Sequence, residues 1–267
     1  GSYLSTHRGN VDYRNNVIYN WGSNTTYGGE DGSFNIVNNY YKPGPASKEK
    51  KYFVDAYWYN SSSNVGSAYP RLYMSGNYHA GSYASSINGD QWSGVYYHPQ
   101  GNDPSTTDGR LSAPLSIKAG DATVCHTTTH TAAGAFDAVL SYAGASLCRD
   151  AVDKRAETDA RSGKATFPDG GNGSTGGLID SQAAVGGWPE LTATADQIAR
   201  AAVDTDGDGI PDYYEELLGL DPKDASDAAA TTLDPQKLYT NIEVYFHYLV
   251  RDVTLSQVKG GSYTALQ

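Results

Sequence analysis

Two stretches of the chain repeat the same order of apolar and polar positions. Each has a short apolar run, an Asn-Asn pair and a second short apolar run, and the stretches are Val11–Gly22 and Phe34–Pro45. The pairs Asn15-Asn16 and Asn38-Asn39 lie 23 residues apart (38 − 15). Because Asn tolerates the left-handed backbone conformation that a sharp bend needs, the pattern predicts two strands joined at each pair.

A weaker third copy lengthens the repeat. It covers Leu72–Gly81 and places Asn77 38 residues after Asn39 (77 − 39). One unit of about 20 residues cannot bury its own apolar face, so the copies are expected to stack as coils of a solenoid. Stacked bends can also align their Asn side chains in a hydrogen-bonded ladder. The alternative is a β-sandwich that contains two similar hairpins.

The distribution of turn residues predicts three parts of the chain. Residues 1–110 show the pattern of solenoid coils made of short strands with long loops, because short apolar runs such as Phe53–Tyr59 alternate with Gly, Asn, Ser and Pro clusters. Residues 111–195 are expected to form a wrapping segment with two helices. Residues 196–267 are expected to hold a calcium loop and a C-terminal helix that packs on the body.

Helix signals become frequent in the second and third parts. Thr131 is a suitable N-cap, and Gly144 is a suitable end for that helix. A charged helix is predicted over Arg149–Arg161, and the Gly-rich loop Lys164–Pro189 is expected to wrap across the coils because it is too long for an ordinary connection. Near the C-terminus, Thr240-Asn241-Ile242-Glu243 matches a capping box that starts an amphipathic helix.

The segment that begins at Asp204 has the spacing of a twelve-residue EF-hand calcium loop. Oxygen ligands are expected at positions 1, 3, 5, 7, 9 and 12, where calcium, a hard cation, takes carboxylates and a backbone carbonyl. These positions are Asp204, Asp206, Asp208, Ile210, Asp212 and Glu215. A solvated acidic turn is the alternative, but carboxylates packed together without a cation repel one another. The loop also resembles those of dockerin and thrombospondin type 3 repeats, and we expect a structural Ca²⁺.

Charge and cysteine content narrow the class of protein. The formal net charge of −11 argues against nucleic acid as a partner. No apolar run reaches the roughly 20 residues that span a bilayer. The two cysteines, Cys125 and Cys148, are predicted to form one disulfide in an oxidising compartment, with two free thiols as the alternative.

Several of these stretches together resemble pectate lyases of polysaccharide lyase family 1, most of all the large secreted enzymes of Bacteroidetes-type bacteria. The resemblance runs from Arg8 to about Val250, and its specific parts are NNYYKPGP and VGGWPEL. It implies an all-β, right-handed parallel β-helix that is secreted, or periplasmic or at the cell surface. It also implies calcium-assisted β-elimination of a pectate-like acidic polysaccharide, in which a base, usually Arg, removes a proton beside the uronate carboxylate.

The match to that family is incomplete at the start of the chain. Arg8 aligns with a substrate-binding Arg of the family, whereas Tyr3 stands where the resemblance would place the catalytic Arg. We therefore expect the chain to correspond to the C-terminal portion of such a lyase, and no catalytic residue is assigned. A missing N-terminal segment, or further copies of the chain, are the expected protein partners.

Four basic residues are candidates for binding uronate carboxylates: Arg8, Lys42, Lys51 and Arg71. The alternative is that the basic loop is merely solvated. His79 and His98 are considered as bases, although isolated histidines are more often surface or satisfied core groups. Beside the lyase we keep a second hypothesis, a non-catalytic β-solenoid that calcium stabilises and that binds carbohydrate or self-assembles.

Overall fold

The computed structural model describes residues 10–48, 51–58, 68–99, 105–106, 109–117 and 125–266. Nine short strands in the first part of the chain are β1 (Asn10–Arg14), β2 (Val17–Tyr19), β3 (Thr26–Gly28), β4 (Ser33–Val37), β5 (Tyr40–Lys42), β6 (Val54–Ala56), β7 (Arg71–Ser75), β8 (Tyr78–His79) and β9 (Val95–Tyr97). They form three parallel sheets with the orders β1-β4-β7, β2-β5-β8 and β3-β6-β9. Successive strands therefore visit the three sheets in rotation.

This rotation confirms the predicted stacking of coils. Tyr13 pairs with Ile36, and Ile36 pairs with Met74, so the three sequence copies lie in register. The Asn-Asn pairs are corners stacked on one another, and their strands pair in parallel. The alternative of two hairpins in a sandwich is wrong, because a hairpin would pair its own two strands antiparallel.

The two Asn residues of each corner have different tasks. The first takes the left-handed conformation, with φ of 55° at Asn15 and 52° at Asn38. The second forms a ladder, in which the Asn16 side chain donates to Asn39 Oδ1 at 2.9 Å, and the Asn39 side chain donates to Asn77 Oδ1 at 3.0 Å. The predicted ladder is therefore present, and Gln91, which the sequence did not indicate, ends it by accepting from Asn77 at 3.0 Å.

Apolar side chains fill the space between the three sheets. Tyr41 and Phe53 are fully buried, and their ring centroids lie 5.1 Å apart. Ile36, Leu72 and Ile87 join the same core. Each coil contributes only a few apolar residues, so the core exists only once coils are stacked.

The remaining chain is mainly helical. Its helices are α1 (Ala84–Ile87), α2 (Ala132–Tyr142), α3 (Ala151–Ser162), α4 (Ala195–Arg200), α5 (Asp212–Leu218), α6 (Asn241–Leu249) and α7 (Arg251–Gln257), with 3-10 turns at Gln91–Gly94 and Gln182–Val185. Strands β10 (Cys125–Thr129) and β11 (Ser262–Leu266) pair antiparallel. The predicted helix signals hold, since Thr131 Oγ1 accepts from the Gly134 amide at 3.1 Å, Gly144 and Gly163 take positive φ, and the Thr240 capping box forms. Among the described residues, no helix has the length and apolarity to cross a membrane.

The chain divides into two compact units. The coil unit comprises Gly1–Ser141, Arg155–Trp188 and Val258–Gln267, and the helical unit comprises Tyr142–Lys154 and Pro189–Gln257. These units cut across the three parts predicted from the sequence, and the three-part division stays a prediction.

The loop Lys164–Pro189 contributes contacts to the coils. Tyr19 donates its hydroxyl to the Lys164 carbonyl at 3.0 Å, and Asn20 donates to the Gly176 carbonyl at 2.9 Å. The start and the middle of this loop therefore contact the coils at the end of β2, and its wrapping across them stays a prediction.

Candidate functional site

The acidic loop of the helical unit is shaped by its own backbone amides. Asp204 accepts hydrogen bonds from the amides of Gly207 at 2.8 Å and Gly209 at 3.1 Å. Both glycines take positive φ, 77° and 97°, which a residue with a Cβ rarely adopts. The loop therefore curls around the first Asp, as a short cation loop requires.

The curl brings two groups of carboxylates together. Ligand atoms of Asp204, Asp206 and Asp208 lie within 4.8 Å of one another, and so do those of Asp208, Glu215 and Asp227. Because Asp208 belongs to both groups, we treat these five residues as one feature, the carboxylate cluster. Asp227 was not among the predicted ligands.

Five buried oxygens of the carboxylate cluster have no hydrogen-bond partner within the described part of the chain. They are one oxygen each of Asp206, Asp208 and Asp227 and both oxygens of Glu215. Glu215 is completely buried. A buried carboxylate without a donor or a cation is costly, so such oxygens indicate a missing positive partner.

The electrostatics of the cluster agree with that interpretation. Burial, and then the neighbouring charges of Asp206, Asp208 and Asp227, raise the pKa of Glu215 to about 7. Burial, together with the Asp208 and Asp204 charges, also raises the pKa of Asp206. A hard divalent cation would relieve both effects, and an all-oxygen donor set that includes a two-oxygen Glu fits Ca²⁺. The residues present therefore fit calcium.

Two predicted ligands, Asp212 and Ile210, also make contacts within the protein, and their role as ligands stays a prediction. Asp212 accepts from the amide and the hydroxyl of Thr205, both at 2.7 Å, and these bonds lower its pKa. It closes the loop and starts α5, and it belongs to neither carboxylate group. Ile210 is fully buried in an apolar core with Ala228 and Tyr245, and its amide donates to Asp208 at 2.8 Å.

Asp227 reaches the cluster from a turn that follows α5. Its second oxygen accepts from the Asp221 amide at 2.9 Å, which fixes the carboxylate. The sequence carried a signal, since Asp221, Asp224 and Asp227 recur every three residues after the predicted loop. An EF-hand template ends at its twelfth position, so it does not extend to this residue.

A second feature lies on the outer side of the β3-β6-β9 sheet. Tyr27, Asp55 and Tyr96 pair side by side across its three strands, while Val54 and Val95 point into the core. Additional rings flank the row. We call the set the aromatic face, and its members are Tyr27, Tyr52, Tyr57, Tyr96 and His98.

Ring contacts run continuously along the aromatic face. Tyr57 stacks on His98 at 4.4 Å between centroids, and Tyr52 stacks on Tyr96 at 4.9 Å. Beneath them, Asp55 lies 3.5 Å from Nδ1 of His98 and accepts from Asn24 at 2.8 Å. The carboxylate thus orients the imidazole, while Tyr27 remains 69% exposed.

The predicted cationic residues do not lie on one sheet. Lys42 ends β5 and donates to the Arg161 carbonyl at 2.6 Å, and burial beside Arg161 lowers its pKa. Arg71 starts β7 on a different sheet, whereas Lys51 lies 5.4 Å from the ring of Tyr52 at the aromatic face. Arg8 lies outside the described residues. Their roles in substrate binding stay predictions.

The remaining candidates are also placed. His79 is buried and its Nδ1 accepts from the Gly81 amide at 3.0 Å, so it is a core residue and not an accessible base.

Cys148 is a free thiol that donates to the Thr192 carbonyl at 3.2 Å. This contradicts the predicted disulfide to Cys125, whose side chain lies outside what the structure describes. The physical reason is that Cys148 belongs to a turn of the helical unit and bonds within it.

Comparisons with known proteins give relatives but no family model, since no family model matches the chain. The chain is 31% identical over 247 residues to "Probable pectate lyase C" of Aspergillus flavus. This alignment covers 91% of this chain and 49% of that protein. The protein of the same name from Neosartorya fischeri is 31% identical over 251 residues, with the same coverage of 91% and 49%. That of Aspergillus oryzae is 30% identical over 247 residues, again with 91% and 49%. The chain thus spans about half the length of these relatives, and their fungal sources do not support a Bacteroidetes-type origin.

Proposed function

We propose that this chain is the downstream part of a secreted pectate lyase, a right-handed parallel β-helix of polysaccharide lyase family 1 that cleaves pectate-type uronans. The main support for the proposal is that sequence similarity and fold agree over the same residues. The similarity to proteins named pectate lyase extends over 91% of the chain, and the same chain winds into stacked parallel coils with Asn corners.

The proposed reaction is a β-elimination. A base takes the proton from the carbon next to the uronate carboxylate, the freed electron pair forms a carbon–carbon double bond, and the glycosidic oxygen leaves with a proton from solvent. Calcium held near the substrate carboxylate would supply the positive charge that stabilises the developing anion. The base is not assigned to a residue of this chain.

The part played by the coil unit is to hold the polysaccharide. Rings of the aromatic face offer apolar area with polar tips, which suits the faces and hydroxyls of sugars. Lys51, at the edge of that face, would bind a uronate carboxylate, and His98 and Asp55 would bind hydroxyls.

The part played by the carboxylate cluster is structural. Asp206, Asp208, Glu215 and Asp227 would hold Ca²⁺, with Asp204 shaping the loop around it. Protein oxygens supply most of the six to eight ligands that calcium takes, which leaves little room for a substrate carboxylate. This calcium therefore stabilises the helical unit and takes no part in the elimination.

The proposal is tested by supplying polygalacturonate and calcium to the chain alone and to a longer protein that also carries the upstream segment that the family resemblance predicts. We expect ultraviolet absorbance from the unsaturated product with the longer protein only. A longer protein with Lys51→Ala should show a raised KM and a similar kcat, while Lys223→Ala is the matched exposed control. A longer, folded protein that releases no unsaturated product would overturn the lyase proposal.

A second candidate function is binding without cleavage, and the aromatic face is the observation that favours it. A coil surface that carries five stacked or adjoining rings can hold a polysaccharide without any catalytic base. Under this hypothesis, immobilised polygalacturonate should retain the chain, or the chain should form oligomers in solution. No unsaturated product should form, even with the longer protein.

A further inference from the structure

A cavity in the helical unit combines cationic, anionic and aromatic side chains. Its volume is about 390 Å³, within the range of ~300–1,000 Å³ typical of small-molecule sites. Residues from α4, α5, α6 and α7 line it. The charged and aromatic ones are Asp196, Arg200, Tyr214, Tyr248, Arg251 and Asp252. None of them belongs to the carboxylate cluster.

The cationic part of the cavity is set by two guanidinium groups. Arg200 is held by Asp196, with its Nε at 3.1 Å and its terminal nitrogen at 3.0 Å from the two carboxylate oxygens. Its guanidinium also lies 5.1 Å from the ring of Tyr213, so its direction is fixed. Arg251 makes no ion pair with another part of the described chain, which leaves its charge available to a ligand.

The aromatic part consists of two tyrosines. Tyr214 packs against Tyr245 in the apolar core, with ring centroids 5.1 Å apart, and meets Tyr248 edge-on at 6.4 Å. Tyr248 is 36% exposed, so part of its ring faces the cavity. A tyrosine held in this way offers a fixed apolar surface next to a hydroxyl.

The combination restricts the ligand. Guanidinium forks bind carboxylate and phosphate groups alike. The neighbouring Asp196 and Asp252 only accept hydrogen bonds, so they repel a bare dianion and need a ligand that also donates. A sugar acid satisfies both requirements and presents a ring face to Tyr248.

We propose that this cavity, the Arg251 pocket, is a binding site for a single uronate unit of an acidic polysaccharide. The carboxylate lies on Arg251 and Arg200, and the hydroxyls lie on Asp196 and Asp252. The choice of a uronate among sugar acids rests on the proposed function. The site is separate from the aromatic face and would give the chain a second point of attachment to the polymer.

Calcium is expected to regulate the Arg251 pocket, because the two sites share α5. Tyr214 lines the pocket and Glu215, the next residue, belongs to the carboxylate cluster. The helix has only seven residues, so its position depends on what holds its sides. Calcium on Glu215 would therefore fix Tyr214, and the coupling must be reciprocal.

The test is a titration of the full chain with digalacturonate, in calcium and in EGTA. Calorimetry and changes in amide NMR chemical shifts measure the binding. We expect shifts at Arg200, Tyr248 and Arg251, at least tenfold weaker binding for Arg251→Ala, and unchanged binding for Lys223→Ala. In the presence of calcium, Glu215→Gln should weaken digalacturonate binding as much as EGTA does. Because this substitution changes only the protein's calcium site, it distinguishes the effect of that site from the effect of calcium bound to the sugar.

Unchanged affinity in Arg251→Ala, or equal affinity for the neutral galactose disaccharide or for inorganic phosphate, would overturn the proposal. The result is independent of cleavage. Product formation by the longer protein without binding at this pocket overturns this inference alone, and binding here without product formation overturns the lyase proposal alone.

Discussion

The Asn ladder of the coil unit and the carboxylate cluster of the helical unit are both buried and polar, yet they are completed in opposite ways. In the ladder every amide carries donors and an acceptor, so Asn39 donates to Asn77 and accepts from Asn16. In the cluster every side chain only accepts, and five oxygens have no partner among the described residues. The ladder is therefore complete within the chain, whereas the cluster has acceptors that the described residues leave unsatisfied, which is why a cation is proposed there.

The largest expected effect comes from removing a rung of the ladder. Asn39→Ala strips partners from buried groups, since Asn39 also donates to the Tyr13 carbonyl at 2.9 Å and accepts from the Asn16 amide at 3.0 Å. Each buried group left unpaired costs about 1–3 kcal/mol, so we expect a loss on the order of 3 kcal/mol in the free energy of unfolding. Urea unfolding measures it, and the loss should be the same with calcium or EGTA.

Exposed Asn172→Ala is the matched control for that substitution, and it should change stability little. If the loss in Asn39→Ala disappeared in calcium, the ladder would not be complete by itself and the contrast would fail.

Removal of calcium should be the next largest effect, and it should fall on the helical unit. Binding to the folded state alone stabilises by about 2.7 kcal/mol when free calcium is 100-fold above Kd. Calorimetric melting in calcium and in EGTA measures the shift, which Glu215→Gln should abolish and Glu216→Gln should leave intact. A melting curve that EGTA does not move would remove calcium from the carboxylate cluster.

A smaller effect distinguishes calcium held by the carboxylate cluster from calcium held by the predicted EF-hand ligands. Asp227→Asn should weaken calcium binding at least tenfold, which is about 1.4 kcal/mol. Asp212→Asn should leave calcium affinity nearly unchanged and cost only the ~0.3–1 kcal/mol of an acid in the first turn of a helix. Calcium titration by calorimetry gives both values, and the reverse order would restore Asp212 as a ligand.

A pH dependence of stability in the absence of calcium is also expected from the carboxylate cluster. Burial and the neighbouring carboxylates raise the pKa of Glu215 from its ordinary 4.5 to about 7, so between these pH values the metal-free folded state binds more protons than the unfolded state. Stability in EGTA should therefore fall as pH rises from 4.5 to 7. Glu215→Gln should flatten that slope and be more stable than the wild type in EGTA at pH 7, and a slope unchanged by the substitution would contradict the assignment.

The coil was predictable because its signal is local and repeated. The Asn-Asn pairs at a spacing of 23 residues indicated both the bend and the stacking, since a strand of three to five residues has no other way to bury its apolar side. The cap at Thr131 and the ends at Gly144 and Gly163 were predictable for the same reason, because caps depend on neighbours in sequence.

The sequence did not indicate contacts between residues that are far apart along the chain. Asp227 was missed because it joins Glu215 only through a turn beyond the template. The structure adds that Thr205 donates two hydrogen bonds to the Asp212 carboxylate, whose role as a calcium ligand stays a prediction. The sequence also did not show that Lys42, Lys51 and Arg71 lie on or beside three different sheets, and their role in substrate binding stays a prediction. The Cys148 thiol was expected to pair with Cys125, and it bonds to the Thr192 carbonyl instead.

Residue types at short, fixed spacings were enough to predict the stacked coils, their Asn corners, the helix ends and the acidic loop. The three-dimensional arrangement was needed to see which carboxylates lack partners among the described residues, which rings adjoin on the aromatic face and which side chains line the Arg251 pocket. Those features depend on where separate segments meet in space, and burial there gives a charge or a ring its chemical role.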